Sequence, residues 1–185
     1  MSLAVLRSRA LSGIDAPAVS VEVHLANGLP SFTIVGLPDT EVKESKDRVR
    51  AAIQNSRFEF PARRITVNLA PADLPKESGR FDLAIALGIL AASRQIPHTH
   101  LDAHEFAGEL SLSGDLRPIR GALAMAYALS RNPVSADGDA PLARAFVLPA
   151  ENAAEAALVS GTKVLPARTL IEVCDHLSAP DRKLA

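Results

Sequence analysis

The stretch P-K-E-S-G-R at 75–80 places a lysine, an acid, a serine and a glycine directly before a long apolar run, F-D-L-A-I-A-L-G-I-L-A-A-S at 81–93. Three kinds of chemistry use such residues. Ser78 could attack a carbonyl if Lys76 took its proton, but a lysine with an ordinary pKa of about 10.4 is almost fully charged at neutral pH. Glu77 beside it favours the charged form further. Ser78 or Gly79 could instead cap the helix, whose first N–H groups need partners whatever the function. With Arg80 added, the same N–H groups form an anion site able to hold a nucleic-acid phosphate. The residues favour a cap, with or without the anion.

A second constellation lies in T-E-V-K-E-S-K-D-R-V-R-A-A-I-Q-N at 40–55. Lys43, Lys46 and Arg50 fall at i, i+3 and i+7, on a helix face turned away from Val42, Val49 and Ile53. That row either contacts phosphates or is a solvated face with internal ion pairs, Glu44 reaching Arg48 and Asp47 sitting beside the row. Arg63 and Arg64, with Arg117 and Arg120 further on, could extend it. Residues 43 to 80 carry nine basic side chains against five acidic ones, and from Asp102 onward the balance reverses to eight against eleven. A local positive face on a nearly neutral molecule is the result. With aromatics only 4% of the chain, stacking on bases has little to work with, so contact would be to the DNA backbone, salt-sensitive and sequence-neutral.

His98, His100, Asp102 and His104 are metal-ligand types, but their spacing matches no structural zinc pattern and no metal site is assigned. No G-x-x-x-x-G-K-[ST] occurs; Gly161-Thr162-Lys163 lacks the earlier glycine and the hydroxyl after lysine.

These groups must be held by a core of Ala, Val, Leu and Ile, since apolar residues are 48% of 185 and few are aromatic. Net charge is −1, which predicts no strong whole-molecule attraction to nucleic acid or membrane. The single Cys174 allows no internal disulfide, which fits a reducing compartment, and a cytoplasmic location without membrane contact is expected. Strands are expected over 3–12, 18–26, 32–36 and 65–71, where V-S-V-E-V-H-L-A shows the alternation of a half-buried strand. Asp39 or Thr40 caps the helix at 40–55. The run 81–93 is apolar all round and predicts a central, buried helix. E-F-A-G-E-L-S-L-S-G-D-L-R-P-I reads as one hairpin turning at 113–115, its glycines explained by turns, followed by a helix through 121–131. A polar loop at about 132–143 reads as flexible. A-F-V-L-P-A and T-K-V-L-P-A each end a strand and begin a helix, an alternation that favours parallel pairing. Residues 1–177 then form one domain, with 178–185 a linker or tail.

F-T-I-V-G-L-P-D-T-E-V-K-E-S-K-D-R-V-R-A-A-I-Q-N-S, P-A-R-R-I-T-V-N-L-A-P-A-D-L-P-K-E-S-G-R-F-D-L-A-I-A-L-G-I-L and F-A-G-E-L-S-L-S-G-D-L-R-P-I-R-G-A-L-A-M-A resemble, in order and spacing, the N-terminal domain of the ComM/YifB family of magnesium-chelatase-like AAA+ ATPases. The resemblance covers residues 3 to 178. It implies an α/β fold, a single domain similar to the proteolytic domain of Lon, with a mixed sheet and packed helices. It further implies a homo-hexameric, ATP-driven branch-migration helicase of natural transformation and recombination, in which this piece is a non-catalytic DNA-engaging and ring-assembly domain. The alternatives are a purely structural, partner-binding domain and a Lon-type serine hydrolase. Against the last, the Lon serine position is occupied by Arg80 and the lysine position by Leu123. The fragment is then no enzyme and carries no cofactor of its own; ATP and Mg belong to an AAA+ module beyond it. The expected DNA contacts are Lys43, Lys46, Arg50, Arg63, Arg64, Lys76 and Arg80.

Overall fold

The computed structural model describes residues 2–131, 143–179 and 184. The polar loop therefore lies outside the described residues except at its last position, as does most of the tail.

Strands β1 (Leu3–Arg9) and β2 (Ala18–Ala26) pair antiparallel, and β2 pairs antiparallel with β4 (Arg64–Ala70). At the far edge β3 (Ser31–Val35) joins β4 in parallel, giving the mixed order β1-β2-β4-β3. A parallel pair needs a crossover. It is supplied by α1 (Thr40–Asn55), which starts at Asp39, whose carboxylate accepts from the Val42 N–H at 2.8 Å. Strand period then divides the sheet. Leu6, Val21, Val23 and Val67 point to a fully buried face, while Arg7, Ser20, Glu22 and Asn68 occupy the other. The first expected strand is shorter than the sequence suggests, because Ser12 and Asp15 pair with each other across a tight loop.

The buried face is covered by α2 (Asp82–Ala92), all of whose eleven residues are buried, as the continuous apolar run predicts. Gly88 permits the close approach: a Cβ there would sit 2.4 Å from Val23 Cγ2. α1 packs in turn on α2 with Val42, Val49, Ala52 and Ile53, the expected stripe, fully buried.

The expected hairpin is divided between two sheets. Its beginning, β5 (His104–Phe106), pairs in parallel with β8 (Ala145–Pro149), while only β6 (Glu109–Leu110) and β7 (Leu116–Arg117) form an antiparallel pair. The chain breaks between them because Ala107 donates to Val147 and Gly108 donates to the Arg80 carbonyl, so neither is free for a hairpin ladder. β9 (Val164–Ala167) pairs in parallel with β8, as the repeated V-L-P-A frame predicts, and completes the order β5-β8-β9. α3 (Ala122–Arg131) packs on this sheet through Met125, Ala126 and Leu129 with Phe146 and Leu148. The first strand–helix unit continues only into a 3-10 turn and the single-turn α4 (Ala153–Ala156). The second continues into α5 (Leu170–Ser178), capped by Thr169. Leu184 returns from the tail to pack on the main core, its N–H donating to His176 Nδ1 at 3.0 Å.

Candidate nucleic-acid interface

The first turn before α2 is built from the P-K-E-S-G-R stretch, whose Lys76 and Arg80 are buried while Glu77 is exposed. Ser78, at φ 67°, caps a short 3-10 turn at Gly79–Phe81 and accepts from the Arg80 N–H at 3.5 Å. Its hydroxyl also accepts from Arg80 Nε at 3.0 Å, and no amine stands against it. Lys76 is fully buried and donates instead to the Gly36 carbonyl at 2.6 Å and to the Pro71 carbonyl. Burial pushes its ammonium below the ordinary lysine range, an effect that Asp73 only partly offsets. Leu123 stands at 42% exposure on α3, where its N–H donates to Glu155 Oε1.

Arg80 is 4% exposed. Its guanidinium is spent on Ser78, the Glu77 and Arg120 carbonyls and the Met125 sulfur. Burial lowers its proton affinity, with Glu77 opposing. The Gly108 carbonyl takes the N–H of Leu83 near the start of α2. Lys76 and Arg80 are therefore corrected out of the expected surface. They clip loops together by binding carbonyls, and the N–H groups of Arg80, Asp82 and Leu83 at this helix start are taken by acceptors within the protein.

The remaining cations gather elsewhere. Lys43 and Arg50 are exposed and Lys46 half-buried on the solvent side of α1. Arg50 lies over the Phe60 ring, 4.4 Å from its centroid, and Phe60 packs beside Phe32 at 5.8 Å. Phe32 lies in register with Ile65, so Arg64 follows at the same end of the sheet. Arg63 is anchored there by Ser2 Oγ, the Leu25 carbonyl and Asn27, while Arg64 is exposed. Lys43, Lys46 and Arg50 thus share the solvent side of α1, whereas Arg63 and Arg64 stand at the start of β4, with Arg64 on the sheet face of Asn68, away from α1. Among the described residues no acid on α1 is ion-paired with Lys43, Lys46 or Arg50; Glu44 instead sits 3.8 Å from Arg48. Arg117 and Arg120 lie on the β6/β7 side.

A buried centre missing from the sequence reading fixes α1 in place. Asp82, fully buried, accepts from Arg48 Nε at 2.7 Å, Ser45 Oγ at 2.5 Å and the Leu110 N–H at 3.1 Å. Burial pushes the Asp82 carboxyl up, and Arg48, Ser45 and Leu110 pull against it. The only hint in the sequence was the pair of short polar words S-K-D-R and R-F-D, whose spacing carries no period. The histidines at 98–104 are engaged in hydrogen bonds: His98 Nε2 with the Ala91 carbonyl, His104 Nδ1 with the His100 carbonyl and His104 Nε2 with His176 Nε2 at 2.9 Å.

A mixed α/β domain with exposed cations on its crossover helix and a serine hydroxyl bonded to a guanidinium is what fold and site define. Over residues 21–152 the chain matches the family described as subunit ChlI of Mg-chelatase, and it belongs to that family. It is 49% identical to the competence protein ComM of Haemophilus influenzae over 182 residues, 98% of this chain and 34% of that protein. It is 48% identical to the uncharacterized protein YifB of Salmonella typhimurium over 188 residues, and 46% identical to YifB of Escherichia coli over 177. The chain spans about a third of the length of the curated relatives it matches. Among the described residues no helix is long and apolar enough to cross a membrane.

Proposed function

We propose that this domain is a non-catalytic DNA-engaging and ring-assembly part of a hexameric AAA+ branch-migration helicase acting in transformation and recombination. The observation that carries the reading is the row of Lys43, Lys46 and Arg50 on the solvent side of α1, with Arg63 and Arg64 at the start of β4 as its proposed extension. Kinship to a competence protein supports it. Such a surface grips phosphates without reading bases, which suits a protein that must move along DNA of any sequence. Catalysis by Ser78 finds no support, since its hydroxyl faces a guanidinium that cannot accept its proton. ATP and Mg would act in the AAA+ module of the longer protein.

The test is binding of fork and Holliday-junction DNA across a salt series by this chain and by its Lys43→Glu/Lys46→Glu/Arg50→Glu variant. Wild-type affinity should fall linearly on a log–log plot, and the slope should flatten by about 0.9 for every phosphate that the variant no longer neutralises. Binding with the same slope in both proteins would refute the α1 surface.

A further inference from the structure

A second basic region lies on the opposite side of the β1-β2-β4-β3 sheet from α1. There the outer face of β1 and β2 and the flank of α3 enclose an open cleft of about 1210 Å³. Four arginines, Arg7, Arg9, Arg131 and Arg144, line it against two acids, Asp15 and Glu105, leaving an excess of two positive charges.

The charges are not equivalent. Arg9 is 4% exposed and saturated: Nε and Nη2 grip Glu105 at 2.7 and 3.0 Å, and Nη1 donates to the Ala16 carbonyl at 2.9 Å. This bidentate pair consumes the one buried carboxylate of the cleft. Arg144 is left 4.0 Å from Glu105, with its Nε on the Asp102 carbonyl at 2.8 Å. Arg7 donates Nη1 to Ser20 at 3.1 Å, and its Nε is buried with no acceptor. Arg7 and Arg144 line the same cleft, and burial first, then the like charge of Arg7, lowers the proton affinity of Arg144. Asp15 stands at the exposed rim, so it is screened by solvent.

Two guanidiniums lining one cleft whose buried carboxylate is already paired with Arg9 lack a full counter-charge, which an anion entering the cleft would supply. The cleft is far larger than an inorganic ion. Its walls include Pro71 and Leu74, and the half-exposed Tyr127 ring borders it with Arg131 donating to the Tyr127 hydroxyl at 2.9 Å. Cations at the floor with an aromatic at the wall suit a phosphate that carries a sugar and a base. We propose that this cleft is a phosphate site, in which Arg7 and Arg144 bind the phosphate group of a nucleotide or of a single nucleic-acid strand while Tyr127 borders the attached base. Arg9 positions the site by neutralising Glu105. The site is separate from the α1 surface and does not depend on it.

Three measurements on this chain test the assignment. The thermal midpoint is compared in phosphate and chloride at matched ionic strength, and should be higher in phosphate. Fluorescence anisotropy with labelled (dT)8 and calorimetry with thymidine 5′-monophosphate then read the ligand itself. In Arg7→Gln/Arg144→Gln the phosphate effect should vanish and affinity for the bound probe should fall about ten-fold or more. The double variant also gives up the Arg7–Ser20 and Arg144–Asp102 bonds, so each protein's phosphate effect is read against its own midpoint in chloride. If it nevertheless fails to fold, Tyr127→Ala/Arg131→Gln, altered at exposed positions, should weaken (dT)8 several-fold. Tighter binding of (dT)8 than of the mononucleotide assigns a strand, and equal binding assigns a nucleotide; both support the site. Absence of binding by either probe, or binding that these substitutions leave unchanged, overturns it. Duplex and junction binding through α1 is a separate readout, so either reading can fail alone.

Discussion

Arg48 on α1 and Asp82 at the first position of α2 form a two-point contact, Nε to Oδ2 at 2.7 Å and Nη2 to Oδ1 at 3.2 Å, that ties the crossover helix to the central one. Ser45 and the Leu110 N–H fill the remaining acceptor sites of the carboxylate. Breaking such a pair from one side leaves a charge uncompensated. Arg48→Met should therefore cost about 3–5 kcal/mol in urea unfolding, and Arg48→Met/Asp82→Leu should recover much of it. In the single variant Asp82 loses its strongest counter-charge, so its carboxyl rises further above its unfolded value. The native state then holds a proton that the unfolded chain has released, and the deficit should be larger at pH 7 than at pH 4. An equal deficit at both would show that the loss is packing alone.

Gly88 has no room for a methyl group against Val23 and Leu6. Gly88→Ala must shift α2 off the sheet or twist Val23 from its rotamer. The expected loss is about 1–3 kcal/mol despite the better helix propensity of alanine, measured by denaturant midpoint. A gain in stability would mean that α2 sits less tightly on β2 than this packing requires.

His104 donates Nδ1–H to the His100 carbonyl, leaving Nε2 to accept from His176 Nε2–H, while His176 Nδ1 accepts from Leu184. One neutral proton arrangement satisfies all three bonds. Burial, ahead of His100 and Lys163, lowers the His104 pKa from 6.5, with the His100 carbonyl opposing. As pH falls through about 6.5 the unfolded chain takes up a proton that the native chain resists, so stability declines. The loss from this group is at most about 1.4 kcal/mol per pH unit, and His104→Gln should flatten it between pH 7.5 and 5.

Cys174 is 2% exposed, and burial followed by the charge of Asp175 pushes its thiol up to about 12. A neutral, covered thiol is a poor nucleophile. The native chain should resist a colorimetric disulfide reagent at pH 8 and react with one equivalent once unfolded. Rapid labelling without denaturant would place α5 away from the core.

What could be read in advance was periodic. The α1 stripe, the apolar α2 run and the parallel V-L-P-A strands each follow from a repeat along the chain. The hairpin at 105–119 was only half legible, because the partner of β5 is β8, forty residues on and invisible to local turn signals. Lys76 and Arg80 looked like surface cations since loops with polar letters usually are solvated. Their burial depends on carbonyls from Gly36 and Arg120, which only the tertiary structure brings near. Arg48–Asp82 and the Arg7–Arg144 cleft share that cause: long-range charge pairs leave no period in a sequence.

Every residue of α2 is buried, which places its backbone at the most protected end of the domain. Its amide protons, from about Ile85 to Ala91, should be the last to exchange with heavy water, at a rate set by complete unfolding. That gives the molecule an internal clock: the slowest-exchanging protons report global stability, and any variant or ligand that acts on the fold as a whole should change their lifetime about ten-fold for each ~1.4 kcal/mol.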